Sequence, residues 1–315
     1  MPEIGIVIVT YNSEAVIGAS LDAALRTGAD VVVVDNASLD GTIAEIARRG
    51  VRLIANPDNR GFAAAVNQGF AVLNSPYVLL LNPDAVIASS LDPLRAACNL
   101  PGAAGAGGQL LDALGRPQKG FMARRLPTPA SLIFEVLALN RIWPGNPVNR
   151  RYRGLDWDVS ALTKVEQPAG AFLMVRRAVW LELGGLDERF QPLWFEDVDL
   201  CRRIVDRGYG LYYVPQAVAN HTGGHSIVQL PVELRRFYWY LSLLSYSAKH
   251  FRPLAFRILC LAVVAGSFVR SVAESLSDWS LKPVAVYGNV VRLAGRCLIF
   301  GWSSETLKSG PQFQR

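Results

Sequence analysis

Residues 31–42 read VVVVDNASLDGT. Four consecutive β-branched residues favour an extended chain. A run that is apolar on both sides of the pleat predicts a strand buried on both faces. Asp35 follows at once, and an acid cannot stay in a core without partners, so the strand ends there. Asp40-Gly41-Thr42 then predict a turn into a helix over residues 42–49. Working outward, the same unit recurs. Residues 4–9 (IGIVIV) predict a strand, followed by a helix over 13–27. Residues 51–54 predict a third strand, 61–73 an Ala-rich helix, and 77–81 a fourth strand stopped by Asn82-Pro83-Asp84. This succession predicts a doubly wound α/β sheet flanked by helices. Ligands gather at the carboxyl ends of strands in such sheets, where Thr10, Tyr11, Asn12, Asp35, Asn36, Asn82 and Asp84 all fall.

Residues 101–165 are rich in Gly, Pro and Arg with little periodicity, and 141–153 (RIWPGNPVNRRYR) reads as a long loop. Order returns with a strand over 171–175, helices over 178–183 and 196–207, and a strand over 209–214. Beyond residue 230 three long apolar helices are expected, over 233–251, 254–273 and 281–302. The expected organisation is a catalytic domain over 1–230 and a helical appendage over 231–315.

Composition excludes several classes. The chain has 315 residues, 51% hydrophobic and 18% charged, so it is not a disordered chain. The formal net charge of +6 is unevenly placed. Eleven of the 32 Lys and Arg, and 4 of the 26 Asp and Glu, lie beyond residue 230, which leaves +7 there and −1 in the first 230 residues. The bases are spread among long apolar faces with no nucleic-acid module, so nucleic acid is not an expected partner. The apolar run between Arg257 and Arg270 is only 12 residues, too short to cross a bilayer. Helices lying on an anionic membrane surface are expected instead, with packing on the α/β domain, or on a second subunit in a homodimer, as the alternative. Cys98, Cys201, Cys260 and Cys297 lack CxxC spacing, so reduced thiols in a cytoplasmic protein are expected. The N-terminus lacks a basic region leading into an apolar stretch and cleavage site, so no signal peptide is expected.

Four clusters carry chemistry. Thr10-Tyr11-Asn12 offers polar groups and a ring to a base or ribose, or simply starts a helix with Asn12 or Ser13 as its cap. Asp35 can accept a hydrogen bond from a base's ring N–H, and its segment also reads as an ordinary turn. Asp84 can hold a divalent cation, because Mg²⁺ is commonly bound by one or two carboxylates plus substrate phosphates; Asn82-Pro83-Asp84 also reads as an ordinary turn. In Trp194-Phe195-Glu196-Asp197-Val198-Asp199, helical spacing puts 196 and 199 on one face and aims 197 elsewhere. One acid can then face a cleft while another is held by neighbours. His221 or His225 could complete a metal site with Asp84. A dehydrogenase or P-loop enzyme is excluded, because neither G-x-G-x-x-G nor GxxxxGK[ST] follows strand one. A nucleotidyltransferase lacks its Gly-rich basic loop there.

Taken in order, VIVTYN (7–12), VVVVDNASLDGT (31–42), NRGFAAAVNQG (59–69), LLLNPDA (79–85), GAFLMVRR (170–177) and GGLDERFQPLWFEDVDLCRR (184–203) resemble the family 2 glycosyltransferases of the GT-A fold, in a rhamnosyltransferase-like branch. The resemblance implies a mixed GT-A sheet and nucleotide contacts from Thr10, Tyr11, Asn12, Asp35, Asn36, Arg60, Asn67 and Asn82. It implies Asp84 as the metal-binding acid, with Asn82 in place of the first Asp of the family's DXD element. It further implies His221 as a metal or diphosphate contact and Asp197, beside Glu196, as the general base. Mg²⁺ or Mn²⁺ is the implied cofactor. A dTDP-rhamnose or UDP-sugar donor and a polysaccharide or polyprenyl-diphosphate-linked acceptor are the implied substrates. The basic C-terminal region sets the expected location at the inner face of the cytoplasmic membrane. The alternatives are another UDP- or GDP-sugar, or a catalytically silent membrane-associated scaffold. The processive Gln-x-x-Arg-Trp signature is not reproduced by Leu234-Arg235-Arg236-Phe237 and Trp239, which implies transfer of a single sugar.

Overall fold

A computed structural model describes residues 2–224 and 230–303. His225 and the last twelve residues lie outside that set. The chain runs β1 (Ile4–Thr10), α1 (Glu14–Arg26), β2 (Asp30–Asp35), α2 (Thr42–Ala47), β3 (Arg52–Ala55), α3 (Phe62–Val72), β4 (Tyr77–Leu81), β5 (Ala85–Ile87), α4 (Asp92–Cys98) and β6 (Ala103–Leu111). It continues through β7 (Ala123–Arg124), α5 (Pro129–Val136), α6 (Leu139–Ile142), α7 (Pro147–Tyr152), β8 (Thr163–Val165), β9 (Gln167–Pro168), β10 (Phe172–Arg176), α8 (Arg177–Leu183), α9 (Glu196–Asp206) and β11 (Gly210–His221). Three long helices follow: α10 (Val232–His250), α11 (Pro253–Asp278) and α12 (Lys282–Phe300).

The strands form a nine-stranded mixed sheet ordered β3-β2-β1-β4-β10-β6-β11-β5, with β8 also paired to β11. β1, β2, β3 and β4 are parallel, while β10 enters antiparallel between β4 and β6. The chain order reverses at β1, which lies between β2 and β4, and this opens a crevice at their carboxyl ends. The four valines of 31–34 are all buried, as their unbroken run predicts. Each such side chain contributes roughly 1.5–3 kcal/mol of burial.

The chain divides into two compact units. The first comprises residues 1–126, 153–188 and 196–229; the second comprises 127–152, 189–195 and 230–315. A single cut at residue 230 therefore misses two short segments, which join the C-terminal helices.

Three expectations are corrected. Residues 103–111 (AAGAGGQLL), read as irregular, form a central strand, and 141–153, read as a loop, carries helical turns in α6 and α7. Small residues are needed in β6. A Cβ on Gly105 would stand 2.6 Å from the Met174 carbonyl oxygen, and one on Gly107 2.5 Å from Pro168 Cβ. Propensity disfavours Gly in strands, so tertiary packing decides here. Thirdly, α11 and α12 are each long and apolar enough to cross a membrane, by length and composition alone. The short apolar run between Arg257 and Arg270 understates a helix of 26 residues.

In the second unit α12 packs on α11 and α10, and α5 packs on α11. All four cysteines are buried free thiols.

Candidate active site

The loops after β1 and β2 are tied together. Thr10 pairs with Asp35 across the two strands, and its Oγ1 donates to Asp35 Oδ1 at 2.7 Å. Ser38 donates twice to the same carboxylate, from its N–H to Oδ2 (2.9 Å) and its Oγ to Oδ1 (2.5 Å). These donors are the partners that let a carboxylate sit fully buried at a strand end. The Asn12 N–H donates to Ser38 Oγ, and Asn12 Oδ1 accepts from the Leu39 N–H, both at 2.8 Å. Ser13 and Glu14 donate their N–H groups to Thr42 Oγ1 and Asp40 Oδ2. Ser13 occupies the N-cap position of α1 but its side chain makes no capping bond. Asn12 and Ala37 take positive φ of 48° and 63°. Such backbone is uncommon outside glycine and persists where the surroundings over-determine it. Tyr11 is half-buried beside this pair of loops and Arg60 is exposed.

The second cluster stands at the carboxyl end of β4. The antiparallel register of β5 and β11 sets His221 opposite Ala85, next to Asp84. His221 Nε2 lies 3.5 Å from Asp84 Oδ1, with the two side chains 2% and 3% exposed. Gln118 orients the ring: its Nε2 donates to the His221 carbonyl at 2.6 Å and its Oε1 meets Nδ1 at 3.1 Å. The Gln118 amide oxygen can only accept, so Nδ1 carries the proton and donates it in this hydrogen bond, which leaves Nε2 as the lone-pair nitrogen. Phe121 stacks on the imidazole at 5.4 Å and 8°. Burial pushes the His221 pKa down, against the opposing pull of Asp84, so the ring is neutral near pH 7. His221 Nε2 is buried and has no hydrogen-bond partner among the described residues.

This donor set fits a divalent cation. A buried carboxylate oxygen and an orphaned imidazole nitrogen face each other, and phosphate oxygens and water can complete the shell. Among the described residues no group of three or more His, Cys, Asp or Glu side chains could hold a metal alone. The arrangement therefore suits a cation shared with a phosphate-bearing substrate.

The third cluster lies at the start of α9. Asp197 is half-buried, and its Oδ2 accepts the Gly170 N–H at 3.0 Å. The neighbouring Ala171 carbonyl accepts the Asn82 N–H, also at 3.0 Å. Residues 170–171 thus hold Asp197 through the Gly170 N–H and the Asn82–Asp84 turn through the Ala171 carbonyl. A Cβ on Gly170 would stand 2.9 Å from Asp197 Cβ, so this position has no room for a side chain. Burial raises the Asp197 pKa, while the Gly170 and Val198 N–H groups and the Arg124 guanidinium restrain it. Glu196 is buried, and its pKa is pushed well up by burial and then by Asp197. Its Oε2 has no hydrogen-bond partner among the described residues. Asp199 is fully buried against Arg203 at 2.7 Å. Arg203 in turn donates to the Leu183 and Gly185 carbonyls, so this acid serves the fold.

Two residues implied on the nucleotide side are committed to the protein. Asn36 is buried, donates to the Gly61 carbonyl and accepts from Asn56. Asn67 closes a two-way clamp on Leu186, donating to its carbonyl and accepting from its N–H, and also donates to Glu188. Gln118, Phe121, Arg124 and Gly170 join the site without having been singled out by sequence. The first three lie in the Gly-rich stretch whose lack of periodicity hides them; Gly170 lies in a quoted motif whose glycine carries no chemistry of its own.

Residues 5–146 match the family described as glycosyl transferase family 2. N-acetylglucosaminyl-diphospho-decaprenol L-rhamnosyltransferase of Mycobacterium tuberculosis is 33% identical over 231 residues, covering 66% of this chain and 71% of that protein. The chain belongs to glycosyltransferase family 2. This glycosyltransferase also resembles the mannosyltransferase PcManGT from Pyrobaculum calidifontis, solved with GDP-Man and Mn²⁺, at TM-score 0.51 and 17% identity over 98% of this chain and 85% of that one. It resembles GalNAc-T7, solved with UDP, GalNAc and Mn²⁺, at TM-score 0.51 and 15% identity over 70% of this chain and 44% of that one. At such identities the likeness bears on the fold alone. The fold of the glycosyltransferase is GT-A, a mixed sheet flanked by helices, with C-terminal helices added.

Proposed function

We propose that this glycosyltransferase transfers one rhamnose from dTDP-rhamnose, with inversion, to a hydroxyl of a polyprenyl-diphosphate-linked or polysaccharide acceptor. The observation that carries the reading is the pairing of Asp84 with His221 on one side of residues 170–171 and the anchoring of Asp197 on the other. Single in-line displacement needs a stabilised leaving group and a base for the incoming hydroxyl, and no protein nucleophile. Asp84 and His221 would hold Mg²⁺ or Mn²⁺, which when bound offsets the negative charge of the departing diphosphate. Tyr11 and Asn12 flank the base and ribose, on a loop that the buried Asp35 carboxylate holds through Thr10 and Ser38. Exposed Arg60 adds positive charge on the nucleotide side. Asp197 Oδ1 or Oδ2 takes the acceptor proton as the new bond forms. The Gly170 N–H fixes that carboxylate in place, so little reorganisation remains at reaction.

The choice of rhamnose and of a lipid-linked acceptor is supported by the mycobacterial relative, whose name specifies both. The proposed place is the cytoplasmic face of the membrane, in keeping with four free thiols. The test is nucleotide release from dTDP-rhamnose, UDP-sugars and GDP-sugars, each with a polyprenyl-diphosphate-linked acceptor and Mn²⁺. Release of dTDP that requires the acceptor supports the reading; acceptor-dependent release from another donor alone overturns the rhamnose assignment.

A further inference from the structure

One face of α11 stays uncovered along nearly its whole length. Leu254, Ile258, Leu261, Phe268, Val272 and Leu276 are between 46% and 72% exposed. Their spacing of three, four and seven residues puts them in a single stripe. The stripe runs from Leu254 to Leu276, a rise of roughly 33 Å along the helix. Trp279, in the turn that follows, is 95% exposed, and Leu281 beside it is also open. An apolar surface this long and continuous marks an interaction site on a soluble domain.

Among the described side chains, the charges exposed on α11 and α12 are basic. Arg257, Lys282, Arg292 and Arg296 are exposed on α11 and α12. The one acid with a described side chain on these two helices, Glu274, is engaged by Arg236 and by the Tyr287 hydroxyl. A second copy of the helix would bring cations against cations with no described acid to answer Arg257. An anionic lipid surface answers Arg257, which flanks the stripe beside Ile258.

The orientation follows from the opposite face. Gly266 packs so tightly against the Val136 carbonyl that a Cβ has no room. Arg270 Nη2 donates to the Glu135 carbonyl at 2.9 Å. The middle of α11 is thus committed to α5 through polar backbone contacts, which a helix crossing hydrocarbon would have to carry to the centre of the bilayer. A helix lying flat, with its stripe down and its cations at the headgroups, meets both constraints.

We infer that the exposed stripe of α11 docks the enzyme on an anionic phospholipid surface, with the helix parallel to it. The inference rests on the proposed lipid-linked acceptor only for its purpose, because such an acceptor is confined to the same surface. The test is co-sedimentation of the full-length protein with vesicles of phosphatidylcholine, alone or with 30 mol% phosphatidylglycerol, at low and high salt. The comparison variant is Leu261→Glu/Phe268→Glu, two exposed positions whose change leaves the core intact, with an unchanged melting curve as the control. The wild type should sediment with the phosphatidylglycerol vesicles, more weakly at high salt, and the double variant should lose at least tenfold in partitioning. Equal sedimentation of the two proteins overturns the inference. So does a wild-type dimer in sedimentation velocity that the double variant dissociates, which would make a second copy the occupant. Donor-nucleotide binding, measured in the same preparations without vesicles, reports on the transferase reading separately.

Discussion

His221 Nε2 faces Asp84 Oδ1 across 3.5 Å, both side chains buried, at the point where β11 pairs with β5. Two donors from elements far apart in sequence meet because the strand register brings them together. The mixed nitrogen and oxygen set has a consequence for metal choice. Imidazole favours later divalent ions, so Mn²⁺ should bind more tightly than Mg²⁺. Titration of the protein with Mn²⁺, followed by electron paramagnetic resonance in the presence of dTDP, should show this order. Asp84→Asn and His221→Ala should each weaken Mn²⁺ at least tenfold.

Gln118 should act on the same property at one remove. Partners that orient a metal-bound histidine typically affect affinity 10–100-fold when removed. Gln118→Leu should lower Mn²⁺ affinity by about that factor. Gln118→Glu, which keeps an acceptor for Nδ1–H, should retain most of it. Equal affinities for Gln118→Leu and the wild type would show that the ring needs no such support.

Glu196 should make stability depend on pH in a stated direction. Its folded-state pKa is raised, by burial first and then by Asp197. The folded protein therefore binds this proton more tightly than the unfolded chain, whose Glu titrates near 4.3. The stabilising contribution is complete below that value and is lost as pH rises through the folded pKa. Glu196→Gln should therefore stabilise the protein at neutral pH, by about 1–3 kcal/mol, the range for an unsatisfied buried group. The gain should vanish below about pH 4. Urea denaturation at pH 4 and pH 7.5 checks the sign.

Gly170→Ala should displace Asp197 without touching the nucleotide loops. A misplacement of about 1 Å in a catalytic group can cost on the order of 100-fold in rate. Stopped-assay kinetics should show kcat falling by about that factor, with donor affinity unchanged.

The parallel half of the sheet is legible because its strands are unbroken apolar runs ending in polar residues, as at Val34-Asp35 and Leu81-Asn82. Asp84, His221 and Asp197 stand out because each is a polar group at the end of a regular element. β6 is illegible because its packing selects glycine and alanine, residues that propensity places elsewhere. Gln118 and Phe121 lie in irregular chain, and their role follows from a pairing more than 100 residues away, which no local pattern carries. Asn36 and Asn67 show the reverse: they sit in recognisable segments, yet their amides hold the loops together.

Asp197 is the residue on which the account turns, because it is given the one proton transfer in the reaction. The most direct test is the turnover of Asp197→Asn against the wild type, with dTDP-rhamnose binding measured in parallel. The asparagine keeps an oxygen for the Gly170 N–H but loses the base. General-base catalysis contributes roughly 10²–10⁴-fold, so kcat should fall by that range with donor affinity unchanged. The wild-type rate should also decline with falling pH above the ordinary carboxylate range, since burial raises the Asp197 pKa. Turnover of Asp197→Asn within a factor of two of the wild type would contradict the account.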